Sequence, residues 1–240
     1  MGKLDGKVAM VVGGGSGIGK GIAQAFAEEG ATLVIAGRTV SRLENTAEEL
    51  RQTGATVLPV GCDAAVEEQV LNLFQKTMNQ FGRLDILVNA SGAFDGGAPD
   101  EISYAAWLNV VDANLNGPFL CSREAFKIMK EQKGGHILNI GSISAQMPRE
   151  GSAPYSSTKF AIQGLTHSFA LDGRPYGIAV CCLHPGNVLV ERRAGDEGTT
   201  PLMSMAEMGA VAVAMVTLPK GTNFYNAIVL PIEQPYLGRG

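Results

Sequence analysis

The stretch Val8-Ala-Met-Val-Val-Gly-Gly-Gly-Ser-Gly-Ile-Gly19 is the most informative part of the sequence. Its five apolar residues predict a buried β-strand, and the glycines after them open a helix that runs from Gly17 to about Glu29. The usual dinucleotide fingerprint G-x-G-x-x-G fits this turn in no register, whereas G-x-x-x-G-x-G fits on Gly13, Gly17 and Gly19. Such a turn lets the backbone approach a pyrophosphate at the N-terminus of a helix. The alternative is a flexible turn that only joins a strand to a helix.

The rest of the chain continues this alternation of apolar strands and amphipathic helices. Further strands are predicted at 32–36, 55–60, 84–88, 136–140, 178–183 and 227–230, and helices at about 41–53, 66–81, 103–112, 115–131, 155–171 and 205–217. Ser41 is placed to cap the second helix. Strands separated by helices indicate one α/β domain over 1–240, with a parallel sheet covered on both faces. The irregular segment of about 186–204 is expected to be a substrate loop, with a solvated surface loop as the alternative.

Length and composition exclude several classes of protein. The 240 residues are 45% hydrophobic and 18% charged, which is enough for a substantial core. A net charge of −4 without a basic cluster argues against a nucleic-acid partner. No apolar run approaches the ~18 residues of a membrane span, and the start of the chain lacks a signal-peptide core. The sequence therefore predicts no membrane partner. The four cysteines have no metal-ligand spacing, so we expect no metal site and reduced thiols in a cytoplasmic protein.

The end of the second predicted strand indicates which dinucleotide the glycine turn would bind. An NAD site usually places a carboxylate about 20 residues beyond the glycines, where it binds the ribose 2′-OH. Gly37 and Arg38 stand there instead. A guanidinium can hold a 2′-phosphate with two hydrogen bonds, so the sequence predicts NADP(H) in preference to NAD(H). The alternative is an arginine that faces solvent and contacts nothing.

Tyr155 and Lys159 stand four residues apart in a predicted helix, so their side chains share one face. The other four tyrosines have no lysine at this spacing. A free tyrosine has a pKa of about 10 and is a poor acid–base group at neutral pH unless a nearby cation favours the phenolate. Lys159 is placed to be that cation.

Several motifs, taken in order and spacing, resemble those of the short-chain dehydrogenase/reductase superfamily in its short single-domain branch. They are the glycine turn at 13–19, Cys62-Asp63, Asn89-Ala-Ser-Gly92, Asn114, Ser142 thirteen residues before Tyr155, the Tyr155–Lys159 pair and Pro185-Gly-Asn-Val188. The resemblance covers nearly the whole chain and extends to reductases of the 3-oxoacyl-[acyl-carrier-protein] type. It implies a Rossmann-like, doubly wound sheet of about seven strands in the order 3-2-1-4-5-6-7, with helices on both faces.

The resemblance implies hydride transfer between NADP(H) and a carbonyl or secondary alcohol. Tyr155 would be the general acid–base, and Lys159 would assist it and hold the nicotinamide ribose. Ser142 would hold the substrate oxygen, and Asn114 would hold a water connected to Lys159. A helix cap or kink is the structural alternative for Asn114.

The resemblance also implies which residues contact the cofactor. They are Gly13, Ser16, Gly17, Ile18, Gly19, Arg38, Asp63, Ala64, Asn89, Ala90, Ser91, Tyr155, Lys159, Pro185, Gly186 and Val188. Asp63 would meet the adenine, Asn89 would steady the central strand, and the backbone of Val188 would meet the carboxamide. Ser144 and Asn116 are the weaker candidates for the roles of Ser142 and Asn114.

Three departures from the family pattern involve four residues. Val12 replaces the usual Thr before the glycine turn, Ala90 and Ser91 replace Asn and Ala, and Val190 replaces a Thr that often bonds the nicotinamide amide. The segment 228–240 departs as well, in a region that lies near a subunit interface in the family. The resemblance implies a homo-oligomer, either a tetramer or a dimer.

Two other functions remain open. One is a non-catalytic protein that senses nicotinamide redox state, although such a protein has no need of Tyr155 and Lys159. The other is an enoyl reductase, although the spacing from Ser142 to Tyr155 favours carbonyl chemistry. A 3-oxoacyl thioester, a simple ketone, a steroid or a sugar would fit as the substrate. Five apolar residues could line its pocket or simply pack in the core, namely Phe94, Met147, Leu189, Leu202 and Met203.

Overall fold

A computed structural model describes residues 2–193, 195 and 200–235 of the chain. In this described part, seven strands form one parallel sheet: β1 (Val8–Val12), β2 (Thr32–Gly37), β3 (Val57–Gly61), β4 (Ile86–Asn89), β5 (Gly135–Ile140), β6 (Ile178–Pro185) and β7 (Asn226–Val229). Their order is β3-β2-β1-β4-β5-β6-β7. The predicted Rossmann-like strand order is therefore confirmed.

Helices connect the strands and cover the sheet. They are α1 (Gly17–Glu28), α2 (Val40–Gln52), α3 (Glu67–Phe81), α4 (Tyr104–Val111), α5 (Gly117–Gln132), α6 (Ala153–Gly173) and α7 (Met205–Val216). Buried side chains of α1, α2 and α7 share one core cluster, whereas those of α3, α5 and α6 share another. The helices of these two groups pack on opposite faces of the sheet.

The central strand β1 explains why the strands are continuous apolar runs. All five of its residues are buried. Ala9 and Val11 belong to the cluster with α1, whereas Val8, Met10 and Val12 belong to the cluster with α3. Because successive side chains point to opposite faces, a strand covered on both faces needs an apolar residue at every position.

Two sequence predictions about the helices are wrong in detail. Ser41 does not cap α2, because the helix begins one residue earlier and its first turn bonds to the carbonyl of Thr39. The helices predicted at about 103–112 and 115–131 are present as α4 and α5, but the gap predicted between them is filled by a π-helical segment, Asp112–Asn116. The wide turn of a π-helix carries the chain through the predicted gap without a break.

Two predicted features fall partly outside the described residues. In the loop of 186–204, residues 194 and 196–199 are outside, and in the segment of 228–240 residues 236–240 are outside. Within the loop, the described part contains a short 3-10 helix, Glu191–Arg193, and a bridge between Val188 and Met203. Of the helices that the structure describes, none has the length and hydropathy needed to cross a bilayer.

Candidate functional site

A cleft of about 770 Å³ opens at the carboxyl ends of the central strands. Parallel strands end at the same edge of the sheet, so the turns after β1, β2, β4 and β5 meet there. The cleft brings together eleven of the predicted site residues, namely Gly13, Ser16, Gly17, Ile18, Arg38, Asp63, Ala64, Ala90, Ser91, Tyr155 and Lys159. Its volume suits a large organic ligand.

The other seven predicted site residues are not among those that line this cleft. They are Gly19, Asn89, Asn114, Ser142, Pro185, Gly186 and Val188. Asn89 is buried, and its amide nitrogen donates to Ser122 at 3.0 Å and to Asn139 at 2.8 Å. Val188 is buried against Met203 and Met208. Asn89 and Val188 are therefore packed in the interior of the protein.

The glycine turn after β1 depends on two close backbone approaches. Gly13 has φ +91°, and a Cβ there would lie 2.6 Å from the backbone nitrogen of Ser91. A Cβ on Gly19 would collide with the carbonyl oxygen of Gly13. Only glycine allows both approaches, and the turn consequently brings the N-terminus of α1 to the cleft.

A carboxylate of the chain itself already lies at this helix N-terminus. The Gly17 N–H donates to Oε1 of Glu191 at 3.1 Å, whereas Ser16, the residue before α1, makes no side-chain capping bond. The N-terminus of a helix attracts anions through its free N–H groups and its dipole. Glu191 thus occupies the position at which the glycine turn predicts an anion. Nothing in the sequence spacing pointed to this residue.

Two arginines line the end of the cleft beside β2. Arg38 follows the strand directly, and Arg42 lies in the first turn of α2; both are exposed. Arg42 was missed in the sequence, although its position four residues after Arg38 at a helix start was a usable signal. Asp63 lines the cleft as well, and its Oδ1 accepts from the N–H of Ala65 at 3.0 Å. Two guanidiniums therefore face this end of the cleft.

Tyr155 and Lys159 are held together in the first turns of α6. Lys159 is buried, and its Nζ donates to the carbonyl oxygen of Ile140, at the end of β5, at 2.8 Å. The same Nζ lies 5.5 Å from the centre of the Tyr155 ring. Phe94 packs edge-on against that ring at 5.1 Å between centroids. The pair thus has the shared face that its spacing predicts.

Asn114 clamps the segment after β4 to α6. It lies buried in the π-helical segment, where Oδ1 accepts from the Ala93 N–H at 2.7 Å and Nδ2 donates to the Ala93 carbonyl at 3.0 Å. Nδ2 also donates to Oγ1 of Thr158 at 3.1 Å, one residue before Lys159. The helix irregularity foreseen as the alternative for Asn114 is present, and the amide reaches α6 through Thr158.

Ser142 is buried in the turn that follows β5. Its Oγ accepts from the N–H of Ser144 at 3.1 Å and so caps a 3-10 helix, Ile143–Ala145. The carbonyl of Ser142 lies 2.9 Å from Nδ1 of His184, which is fully buried. Burial lowers the pKa of this imidazole, while the hydrogen bond to Ser142 opposes that shift. A neutral His184 therefore fixes the backbone of Ser142, a role that the sequence did not suggest.

The candidate pocket residues divide into three groups by exposure. Phe94 and Met147 are exposed, whereas Leu189 and Leu202 are half-buried. Met203 packs in the core, as the alternative for it supposed.

The sequence predicts reduced cysteines and no metal site. Cys62 lines the cleft, but burial, together with the charge of Asp63, raises the pKa of its thiol to about 11, so it stays protonated. Among the described residues, no group of three or more His, Cys, Asp or Glu side chains could hold a metal ion.

Comparison with known proteins identifies similar chains. The family model described as short chain dehydrogenase matches residues 7–198. An uncharacterized oxidoreductase of Thermotoga maritima is 39% identical over 183 residues, which are 76% of this chain and 72% of that protein.

Solved structures extend the similarity to the whole fold. A 3-ketoacyl-(acyl-carrier-protein) reductase from Brucella melitensis, complexed with NADH, matches with a TM-score of 0.86 and 27% identity over 95% of this chain and 98% of that one. A gluconate 5-dehydrogenase from Burkholderia cenocepacia, in complex with NADP and tartrate, matches with a TM-score of 0.88 and 28% identity over 95% of each chain.

Proposed function

The chain belongs to the short-chain dehydrogenase family, and on this premise we propose that it is an NADP(H)-dependent oxidoreductase acting on a carbonyl or secondary alcohol. The observation that carries the proposal is the cleft that joins the glycine turn and the Arg38–Arg42 pair to Tyr155 and Lys159. The solved relatives complexed with NADH and NADP support a nicotinamide cofactor.

The residues that line the cleft fit such a cofactor. The free N–H groups of α1 would hold the pyrophosphate, in the place where the Glu191 carboxylate now accepts from Gly17. Arg38 and Arg42 would hold the 2′-phosphate, and Asp63 would meet the adenine. When bound, the nicotinamide supplies or accepts the hydride.

In this reaction the protein itself transfers a proton to or from the substrate oxygen. In the reducing direction the carbonyl carbon gains the hydride, and the Tyr155 hydroxyl gives its proton to the carbonyl oxygen. The Lys159 ammonium, 5.5 Å from the ring centre, stabilises the negative charge left on Tyr155. Ser142 holds the substrate oxygen, and Asn114 secures Thr158 beside Lys159. In the oxidising direction each transfer runs backwards.

Replacing both Arg38 and Arg42 with Ala is expected to raise the Kd for NADPH about 10- to 100-fold, since a hydrogen bond to a charged group contributes about 1.5–3 kcal/mol. The Kd for NADH should stay within about 2-fold, because NADH has no 2′-phosphate to lose. Fluorescence titration with each nucleotide measures both constants. Arg51→Ala removes one positive charge, against two in the double variant, from the far end of α2 and is the control for a loss of positive charge away from the cleft. Equal losses for both nucleotides, or tighter binding of NADH by the unaltered protein, would contradict NADP(H) use.

Glu191→Gln is expected to tighten NADPH binding by about 2- to 5-fold. A pyrophosphate must displace the Glu191 carboxylate from the N-terminus of α1, where a negative charge is stabilised by about 0.3–1 kcal/mol. The neutral amide leaves that position more readily. The same titration measures the change, with Glu131→Gln on α5 as a control for the loss of one negative charge. Weaker binding by the variant would mean that Glu191 assists the cofactor.

We also propose a homo-oligomer, a dimer or tetramer, of single-domain chains in the cytoplasm, with a small molecule as substrate. Large apolar side chains on α5 and α6 support the assembly, because Phe119, Phe160 and Leu171 are exposed in the single chain. Sedimentation equilibrium reports the number of subunits.

A further inference from the structure

A second cavity, of about 870 Å³, lies at the edge of the sheet opposite to the cleft that contains Tyr155. Its lining includes the residues that lead into β1, β4, β5, β6 and β7, so we call it the amino-edge cavity. Of the 19 lysines and arginines of the chain, six line it, namely Lys3, Lys7, Arg83, Lys133, Arg174 and Lys220. Among the described residues of the lining, Asp85 is the one acid, although the chain has 23 acidic residues. Positive charge is therefore concentrated here in a chain whose net charge is −4.

The order of the strands brings these cations side by side. The strands β1, β4, β5, β6 and β7 are consecutive in the sheet, and the segment that leads into each of them carries one cation of the cavity. Neighbouring strands are about 4.8 Å apart, so successive segments adjoin. A Cβ on Gly177, three residues after Arg174, would lie 3.3 Å from the carbonyl oxygen of Lys133. The side chain of Asn223 ties the last segment to β6, because it donates to the carbonyl of Val180 at 2.8 Å.

Half of the six cations are paired with acids. Lys7 and Arg83 contact the carboxylate of Asp85 at 3.6 Å and 2.6 Å. Lys3 Nζ lies 3.8 Å from a carboxylate oxygen of Glu29. The other three have exposed side chains that make no hydrogen bond or ion pair with the described part of the chain: Lys133, Arg174 and Lys220. These three belong to the adjoining segments that lead into β5, β6 and β7.

The dipoles of helix C-termini are the usual reason for cations at this edge of a sheet. The helices α5, α6 and α7 end at the cavity, and three C-termini together carry about 1.5 negative charges. The six cations and Asp85 give a formal charge of +5, or +4 when Glu29 is set against Lys3. An excess of positive charge therefore remains. The end of α1, where Glu28 and Glu29 stand, shows that this fold does not require a cation after a helix.

We propose that the amino-edge cavity binds a polyphosphate group, at a site separate from the cleft that contains Tyr155. Ammonium and guanidinium groups form charge-assisted hydrogen bonds with phosphate oxygens, and a polyphosphate offers such oxygens along its length. A single small anion reaches one or two of the unpaired cations, whereas a chain of phosphates reaches all three. Leu218 and Pro219, beside Lys220, also line the cavity and provide apolar surface on which an attached organic group would pack. This inference does not depend on the oxidoreductase function proposed above.

His136 lies in the same cavity and can report a bound anion. It is half-buried, and its backbone N–H donates to the carbonyl of Asp85 at 2.9 Å. Burial lowers the pKa of its imidazole, the charge of Lys7 lowers it further, and the charge of Asp85 opposes both. A polyphosphate beside the ring would favour the imidazolium, so binding is expected to raise the pKa of His136. The chain has three histidines, and His136→Gln identifies the signal of this one by NMR.

The test uses isothermal titration calorimetry with sodium tripolyphosphate and with ATP, in the presence of saturating NADPH to occupy the other cleft. Both compounds are expected to bind, with an affinity that falls as the salt concentration rises. The combined variant Lys133→Gln, Arg174→Gln and Lys220→Gln should raise both Kd values about 10-fold or more, because each exposed ion pair contributes a few-fold. Its Kd for NADPH and its rate of NADPH oxidation should stay within about 2-fold, since none of the three residues lines the other cleft.

Lys76→Gln is the control for the loss of a positive charge. Lys76 is an exposed residue of α3 that does not line the amino-edge cavity. Its substitution should leave the affinity for tripolyphosphate and ATP unchanged, whereas Lys220→Gln alone should weaken both about 2- to 5-fold.

The two probes distinguish the sources of the phosphates. Tighter binding of ATP than of tripolyphosphate would identify a nucleotide, and equal affinities would identify the phosphate chain itself; both results support the site. The proposal is overturned if neither compound binds at millimolar concentration, or if the combined variant binds both as tightly as the unaltered protein. Binding of heat-detected anion without a change in the pKa of His136 would place it elsewhere and would also overturn the site. So would a single-stranded DNA oligomer that binds more tightly than both probes, because the surface would then serve a nucleic acid.

Discussion

Tyr155→Phe is expected to lower kcat by about 10²- to 10⁴-fold, the range over which a positioned proton donor accelerates a reaction. Phe keeps the ring that packs against Phe94 and lies near Lys159, so only the hydroxyl is lost. NADPH affinity should therefore change little. The rate of NADPH oxidation at saturating ketone measures kcat, and fluorescence titration measures the Kd for NADPH.

Tyr176→Phe is the matched control for this change. Tyr176 also has a lysine beside its ring, with Lys130 Nζ at 4.6 Å from the centroid, but it does not line the cleft. The activity of the Tyr176→Phe variant should match that of the unaltered protein. If Tyr155→Phe kept most of its activity in the cell, the redox-sensing alternative would gain support. Product analysis with an enone separates carbonyl reduction from reduction of the C=C bond.

Lys159→Met is expected to lower kcat by about 10²-fold or more, because it removes the cation that stabilises a charged Tyr155. Met has a similar length and is apolar, which suits a position as buried as this one. The Ile140 carbonyl loses this donor, which costs about 1–3 kcal/mol of stability. Steady-state kinetics gives the loss of activity, and thermal unfolding verifies that the variant is folded.

Lys130→Met provides the corresponding control, since it also removes a lysine from beside a tyrosine ring. Its kcat should stay within about 2-fold of the unaltered protein, in the range of surface substitutions that touch no site. A similar fall in both variants would mean that the loss reflects a general change in charge. A folded Lys159→Met protein with full activity would contradict the proposed role of Lys159.

The strands were predictable because one physical rule determines them. A strand covered on both faces is mostly apolar, so β1, residues 33–36 of β2 and residues 178–183 of β6 stand out as apolar runs in the sequence. Their order needed the family resemblance, because periodicity along a chain says nothing about which strands are neighbours. The beginning of α2 was misjudged because Thr39 and Ser41 both suit a helix start, and only the backbone decides between them.

The candidate site was predictable where residues act locally. Tyr155 and Lys159 share a helix, and the glycine turn lies within one stretch of chain. Glu191 was not predictable, because its contact with Gly17 joins positions 174 residues apart. The contacts that depend on the irregular loops required the structure.

The π-helical segment between α4 and α5 determines how the side chains of α5 are rotated about the helix axis relative to those of α4. A residue advances an α-helix by about 100°, and a π turn adds about one residue to a turn. The extra residue turns Asn114 inwards to Ala93 and Thr158 while α5 keeps its apolar face, with Cys121 and Ala125, on the sheet. Deleting one residue here would rotate α4 against α5 by more than a quarter of a turn. The direction of this amide thus depends on the number of residues in the backbone as well as on the hydrogen bonds that it makes to Ala93 and Thr158.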